Sequence, residues 1–434
     1  MKSFIKALAV LALAAGAFLF SAGWLFGLPR GTYIDGTYVG GLSRTAAVAA
    51  VRDDKISYLK DKRLVICADE HMYTFRYPEF NFCDDLPELV ASIKKKGEYF
   101  SHTTVYLNGA DGIAEYICAS MDKAVREPSA AFNKTGAPFT YDEGCDGAVG
   151  DRAALLSDIN ASLNGDFGQV VARAKPVARK KSIGGVKRET LLLCSFSTRF
   201  DDGNYARSSN ISLACSKING LILGAGCTFS FNDIVGARTQ ANGFLPAKII
   251  SGGQFVEGVG GGVCQVSTTI YNAAILSGLE ICEYHPHSLR VSYVAPSRDA
   301  MVSGTYFDLK FKNTRLTPIY VRINASNGVL TCSIYGEDDG VKRSFISRTV
   351  GTIPQPDDVV TEGEGGILSQ GREGTLSEGY IVEERDGKQT KRLIRKDKYA
   401  ATPTIRAVPA EEGEVPAQNG AEDAQGADGD RNDR

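Results

Sequence analysis

Four of the five residues from Gly258 to Gly262 are glycine, and the chain then changes to helical spacing, with Val263, Val266, Ile270, Ala273 and Ser277 on one face. Glycine permits positive φ and close backbone approach, so this stretch reads as a tight loop delivering the chain into a helix from Val263 to Ser277. Cys264 then sits in the first helical turn, where unpaired N–H groups and the positive dipole end stabilise a thiolate and lower the thiol pKa from its reference of about 8.5. A base is near in sequence. His285-Pro286-His287 follows the helix and holds two of the chain's four histidines, and the spacing predicts a strand from Leu289 to Val294 before Arg298 and Asp299. If that strand packs beside the helix start, either imidazole reaches Cys264 and Asp299 orients it as third member of a triad. Contact requires a tight return of the chain, because the helix is about four turns long. Three other readings stand beside this one. Cys264 fits a buried structural cysteine or disulfide partner with surface histidines, a transition-metal site with His285, His287 and Asp299, or ligand recognition without catalysis. The glycine loop lacks the Gly-Lys-Ser/Thr ending of a phosphate loop, which argues against nucleotide binding.

The compartment follows from the first residues. Lys2 and Lys6 precede an apolar or small-residue run from Ala7 to Leu28, about the 20 residues a helix needs to cross a bilayer. An uncleaved anchor over residues 1–28 is expected, with a cytoplasmic N-terminus and everything from Pro29 outside; cleavage near Ser21-Ala22-Gly23 would instead give a secreted chain. Ten cysteines on an exported chain permit disulfides, with Cys67–Cys83 and Cys118–Cys145 as the sequence-local pairs. No C-x-x-C pair and no His-x-x-x-His spacing occurs, so neither a structural zinc site nor another cofactor is expected. Forty-nine basic and fifty-one acidic side chains leave a net charge of -2, which gives no electrostatic case for a nucleic-acid partner.

The fold class expected is α+β and multi-domain, membrane-anchored, with a β-rich main domain in which a helix follows the Gly-rich loop. With 434 residues the chain can bury two or three cores. Residues 29–171 read as an α/β region that opens with a hairpin around Asp35-Gly36 and a helix from Ser43 or Arg44 through Arg52, and Ala130 to Leu163 reads as a second pass over that plan. Residues 172–188 are rich in Lys and Arg and read as a solvated linker. The main domain spans 189–340, with helices at Asn210–Lys217 and after the glycine loop, and a hairpin around Asn327-Gly328. Residues 341–406 read as a short β module outside the core, with a turn at Asp386-Gly387. The stretch 407–434 is acidic and poor in apolar residues, and reads as disordered.

The main domain resembles the VanW family from Leu191 to about Gly336. The resemblance rests on Ser195-Phe196-Ser197-Thr198, on Ala225-Gly226-Cys227-Thr228-Phe229-Ser230-Phe231-Asn232 with Gly236, on the run Gly260-Gly261-Gly262-Val263-Cys264-Gln265-Val266-Ser267-Thr268-Thr269-Ile270-Tyr271-Asn272-Ala273-Ala274, on His285-Pro286-His287-Ser288, and on Arg298-Asp299-Ala300. Tyr33 to about Val171 is similar to the peptidoglycan-binding domains that often precede this one, and Gly371 to Pro409 looks like a shortened G-five module. The resemblance implies a bacterial cell-envelope protein and supplies no catalytic residues. Inside its motifs, Cys264, His285, His287 and Asp299 are the candidate catalytic residues, and Gly260, Gly261, Gly262, Gln265, Ser267, Thr268 and Arg298 the candidate binding residues. Cys194, Cys215 and Cys282 lie outside the recurrent pattern and are the better disulfide candidates. The implied partners are peptidoglycan or its peptide stems and, through the N-terminal helix, the membrane. Two functions follow from this reading, a peptidoglycan-binding envelope protein linked to the glycopeptide-antibiotic response and a cysteine acyl-transfer or hydrolytic enzyme acting on wall peptides. A scaffold joining membrane and wall is a third.

Overall fold

The computed structural model describes residues 27–251, 254–304 and 306–408. The expected anchor, apart from Gly27 and Leu28, and the tail beyond Val408 lie outside the described residues. Among the described residues no helix is long and apolar enough to cross a membrane. The chain divides into two units, one of residues 1–129 with 142–183 and one of residues 130–141 with 184–434.

The first unit opens with the expected hairpin, Thr32–Ile34 against Thr37–Tyr38, with Asp35 and Gly36 both at positive φ in the turn. Ser43 caps the following helix by accepting from the Ala46 amide, and the helix runs from Arg44 to Lys60, past the expected stop at Arg52. One apolar cluster gathers Ile34, Val51, Leu86 and Val90, and a larger one gathers Leu64, Ile66, Phe80, Ile117, Leu155 and Ile159. The basic stretch read as a solvated linker holds secondary structure. Ala174–Val177 pairs with Gly147–Gly150, and helix Ile183–Arg188 follows.

The second unit carries the glycine loop and its helix. Its elements are β1 (Leu191–Arg199), α1 (Tyr205–Ile218), β2 (Leu221–Leu223), β3 (Thr228–Ser230), α2 (Phe231–Val235), β4 (Pro246–Ser251), β5 (Gln254–Val259), α3 (Val263–Leu276), β6 (Glu280–Glu283), β7 (Lys310–Lys312), β8 (Ile319–Ser326), β9 (Val329–Gly336), β10 (Lys342–Ile353), β11 (Val359–Glu362), β12 (Gly366–Ser369), β13 (Gly374–Arg385), β14 (Lys388–Tyr399) and β15 (Ile405–Val408). An antiparallel sheet in the order β1-β9-β8-β2 covers one side of the core, and Asn327 and Gly328, both at positive φ, close its β8–β9 hairpin. The hairpin Ser129–Phe132 with Phe139–Asp142 stacks Phe132 and Phe139 on Tyr320 and Tyr335, so Ala130–Tyr141 belongs here and not to a second pass of the N-terminal plan.

Helix α3 is buried almost all round, from Gln265 through Ala274, as a helix at the centre of a domain is. Its apolar side chains Val266, Ile270, Ala273 and Ala274 pack with Ile211 and Ala214 of α1 and with Val321, Leu330 and Ile334 of the sheet. A buried polar group left unpaired costs about 1–3 kcal/mol, so the polar residues of α3 need partners. They have them: Thr269 donates to the Gln265 carbonyl at 2.7 Å, Asn272 to the Thr268 carbonyl at 2.8 Å, and Thr269 meets Thr198 of β1 at 2.8 Å.

Three further expectations are corrected. Leu289–Val294 is a loop, not a strand. The 341–406 segment is not outside the core, because Phe345 of β10 and Ile381 of β13 join the cluster around α3. All ten cysteines carry free thiols, so neither the local pairs nor Cys194, Cys215 and Cys282 form disulfides.

Candidate active site

The chain turns back at the end of α3 by a capping motif. Gly278, at φ +76°, lets its own amide reach the Ile275 carbonyl and the Leu279 amide reach the Ala274 carbonyl, both at 3.1 Å. Strand β6 then carries the chain away, and the segment after His287 returns along the helix. Ser267 donates to the Ala300 carbonyl at 2.6 Å, and the Ala300 amide donates to Thr268 at 3.0 Å. The Met301 amide closes the loop on the His285 carbonyl at 2.7 Å. Stapled this way, the segment places the Val302 carbonyl oxygen 3.3 Å from the Cys264 sulfur.

His287 and Asp299 complete the group. The His287 imidazole lines the same cavity wall as Cys264, and the two groups act on each other electrostatically. Its Nδ1 lies 2.7 Å from Asp299 Oδ2, which also accepts from the His287 backbone amide at 2.7 Å. With Nδ1 held by the carboxylate, Nε2 is the nitrogen left for the sulfur. The electrostatics follow from the contacts. Burial works against the thiolate, but the hydrogen bond and charge of His287 outweigh it and hold Cys264 below its ordinary thiol value. Burial likewise disfavours the imidazolium, yet Asp299 and Cys264 push His287 up to about 9. Asp299, buried too, is kept below the usual carboxylate range by His287, Arg395 and Tyr399. Both shifts run in the direction of proton transfer from the thiol to the imidazole, which favours a thiolate–imidazolium pair. Other thiols behave oppositely: burial pushes Cys194 up to about 11 and Cys215 up to about 12.

Asp299 is itself held from the C-terminal strands. Its Oδ1 accepts from the Tyr399 hydroxyl at 2.6 Å, and its backbone carbonyl accepts from Arg395 Nη1 at 2.8 Å. Arg395 is in turn fixed by Asp397, at 2.7 and 3.0 Å. Tyr399 also accepts from the Ser297 amide at 2.7 Å, and the Ala400 amide donates to the Ser288 carbonyl at 2.8 Å. Strand β14 and Ala400, the residue after it, thus hold both ends of the loop between His287 and Asp299.

The remaining candidates divide. His285 turns away: its Nε2 meets Glu283 Oε1 at 3.0 Å and its ring lies against Phe307, with centroids 4.7 Å apart. Glu283 is pulled down to about 2, first by Lys310 and also by His285. The four supposed metal ligands do not converge, since Asp299 binds the ring nitrogen away from the sulfur, and among the described residues no group of three His, Cys, Asp or Glu is placed to hold a metal ion. Gly260, Gly261 and Gly262 line the cavity beside Cys264. Gly262, at φ +105°, is the helix cap; a Cβ there would also press on Arg207 and Ile211 of α1 at 3.1 Å. Gln265 reaches the cavity wall but is a brace, accepting from Arg207 at 2.7 Å and donating to Thr198 and to the Arg199 carbonyl. Ser267 and Thr268 are buried staples of the Ala300 segment. Arg298 lies off the cavity, bonded to Asn272 at 2.8 Å and stacked between Phe196 and Phe345.

The cavity measures about 840 Å³, with Cys264 and His287 in its wall and Tyr293 close by. Arg199, Arg207, Arg238, Lys248, Arg290 and Arg372 also line it, against Asp201 as the acidic wall residue. None of these cations was singled out from the sequence, because they come from well-separated segments and share no motif. The Cys264 amide has no backbone acceptor among the described residues, so a donor stands open at the first turn of α3.

Residues 206–335 match the family model described as VanW like protein. Over 149 residues the chain is 41% identical to YoaR of Bacillus subtilis (strain 168), covering 34% of this chain and 49% of that protein. Over 110 residues it is 27% identical to the vancomycin B-type resistance protein VanW of Enterococcus faecalis (strain ATCC 700802 / V583), covering 24% of this chain and 40% of that one. The chain thus spans about half the length, or less, of these curated relatives. No solved structure matches it. A VanW-like domain is therefore present, and Cys264, His287 and Asp299 all lie within the matched residues.

Proposed function

We propose that the second unit is a cysteine-dependent acyl-transfer enzyme that acts on peptides of the bacterial cell wall. The observation that carries this is the chain of contacts from Cys264 through His287 to Asp299 at the wall of an open cavity. A structural cysteine would have no need of a buried imidazolium held by a carboxylate; the cost of burying that pair is met where a nucleophile is kept ionised.

In this reading the Cys264 thiolate attacks a peptide carbonyl carbon, forming a C–S bond while the carbonyl electrons move to oxygen. The open Cys264 amide and the positive end of α3 face that developing charge. The oxyanion collapses, the C–N bond breaks, and His287 gives its proton to the departing amine. An amine or a water molecule then loses a proton to His287, attacks the thioester and releases Cys264. Asp299 keeps the imidazole in the required tautomer throughout.

The wall as target rests on the VanW-like resemblance and on the envelope setting expected from the N-terminal sequence. Vancomycin resistance is in the name of the Enterococcus faecalis relative, and from it we take only the proposal that this chain works at the cell envelope. Peptidoglycan binding by the first unit and membrane anchoring by residues 1–28 belong to the same proposal, as means of holding the enzyme at its substrate. The test is to incubate the protein with soluble wall peptides and read the mass of the Cys264 peptide. A thioester adduct is expected on wild type and absent from Cys264→Ser, with turnover falling as pH rises through about 9, where His287 loses its proton. Turnover that persists in Cys264→Ser would reject the proposal.

A further inference from the structure

Arg238 is fixed in place and incompletely used. Its Nη1 donates to Asn232 Oδ1 at 2.8 Å and to the Gly236 carbonyl at 3.2 Å. Asn232 is itself held, its amide on Asp308 Oδ1 at 2.9 Å and its Nδ2 on the Phe307 carbonyl at 3.0 Å. Nη2 of Arg238 is buried and has no hydrogen-bond partner among the described residues. The side chain lines the same cavity as Cys264, and the two interact electrostatically: burial weakens the charged guanidinium, while Cys264 and Asp308 favour it. Asp308 does not satisfy the open nitrogen. Its oxygens are taken by Ser230 at 2.6 Å and by the Asn232 and Leu309 amides at 2.9 and 2.8 Å.

The glycine loop makes room for this residue. A Cβ at Gly260 would lie 3.1 Å from the Arg238 Cβ and 3.3 Å from its Cγ, at a backbone φ of +88°. A buried charged donor without an acceptor is disfavoured unless an anion completes it. The surroundings suit an anion, since Arg199, Arg290 and Arg372 line the cavity and form no ion pair among the described residues. Like-signed walls of this kind concentrate ligands of opposite charge.

We infer that Arg238 is the anion anchor of the Cys264 site, its guanidinium charge in the cavity wall holding a substrate carboxylate beside the carbonyl that Cys264 attacks. The site then selects peptides with a carboxylate next to the scissile bond over their amidated counterparts. This rests on the reading of Cys264 as nucleophile.

The test uses two reagents that differ only in charge near the reacting carbon. Iodoacetate and iodoacetamide each form a C–S bond with a thiolate as iodide leaves, and only the first carries a carboxylate. The full chain is treated with each, and every thiol is followed by peptide mass, with the exposed Cys83, Cys145, Cys227 and Cys282 as internal references. The iodoacetate-to-iodoacetamide rate ratio at Cys264 is expected to exceed that of the references by about tenfold, and to fall by about tenfold in Arg238→Gln, as for loss of a charge-assisted hydrogen bond. Any change in thiolate fraction affects both reagents alike and cancels in the ratio. A wild-type ratio equal to the references overturns the inference without recourse to a variant, and so does an unchanged ratio in a folded Arg238→Gln. Failure of the nucleophile reading looks different: Cys264 would then be no faster than the references with iodoacetamide, and the anchor would fall with it.

Discussion

His285 and His287 lie two residues apart in the same motif, and their neighbours decide what each does. Glu283 captures His285 beside Phe307, whereas Asp299 takes both the backbone amide and Nδ1 of His287 and turns the ring toward Cys264. The residue types of the proposed catalytic group were legible in the sequence: a cysteine in a first helical turn, histidines after the helix and an aspartate beyond them. Which histidine serves was not, because it depends on which carboxylate each ring meets across the fold. Arg238 was not legible either; it reaches the cavity by the packing of the glycine loop, and an arginine among many others carries no signal of that. The two histidines can be separated by substitution. His287→Gln removes the charge that favours the thiolate, so Cys264 alkylation by iodoacetamide at neutral pH should fall by about tenfold or more, whereas His285→Gln should leave it within about twofold. Equal losses in the two variants would place the base elsewhere.

At the level of elements, α3 and the loops at its two ends do most of the positioning. The switch from glycine to helical spacing was readable because backbone freedom and periodicity are local properties, and Val263–Leu276 forms as expected. The loop over Leu289–Val294 was misread as a strand because alternation of polar and apolar residues also arises where a loop lines a cavity. Arg290, Val291, Ser292 and Tyr293 all do so, and the segment is held by the contacts of His287, Ser288 and Asp299 instead of by a neighbouring strand. Strand β14 is the less expected contributor. Its Tyr399 touches Asp299 but does not line the cavity, so Tyr399→Phe should lower kcat by about tenfold while leaving KM unchanged, the pattern of a group that orients the catalytic chain without binding substrate. A rise in KM with kcat unchanged would mean that the tyrosine shapes the binding surface instead.

On the scale of the whole molecule, the C-terminal segment was read as an independent β module because its hairpin pattern is self-contained in sequence. Its long-range contacts are not visible there: Phe345 and Ile381 enter the core around α3, and Arg395 and Tyr399 hold Asp299. The VanW-like match stops at residue 335, short of those two groups, so the contacts that hold Asp299 come from residues beyond the matched domain. The first unit has its own apolar clusters, and in the proposed function it is the part that holds the protein at the wall. These assignments all depend on Cys264 resting as a thiolate beside a protonated His287. Iodoacetamide labelling of Cys264, followed by peptide mass across a pH series on the full chain, measures that state directly. Labelling should reach half its plateau at a pH below the 8.5 or so of an ordinary thiol, the direction in which His287 shifts Cys264. A half-point at or above that ordinary value, or a Cys264 that does not react, would contradict the account.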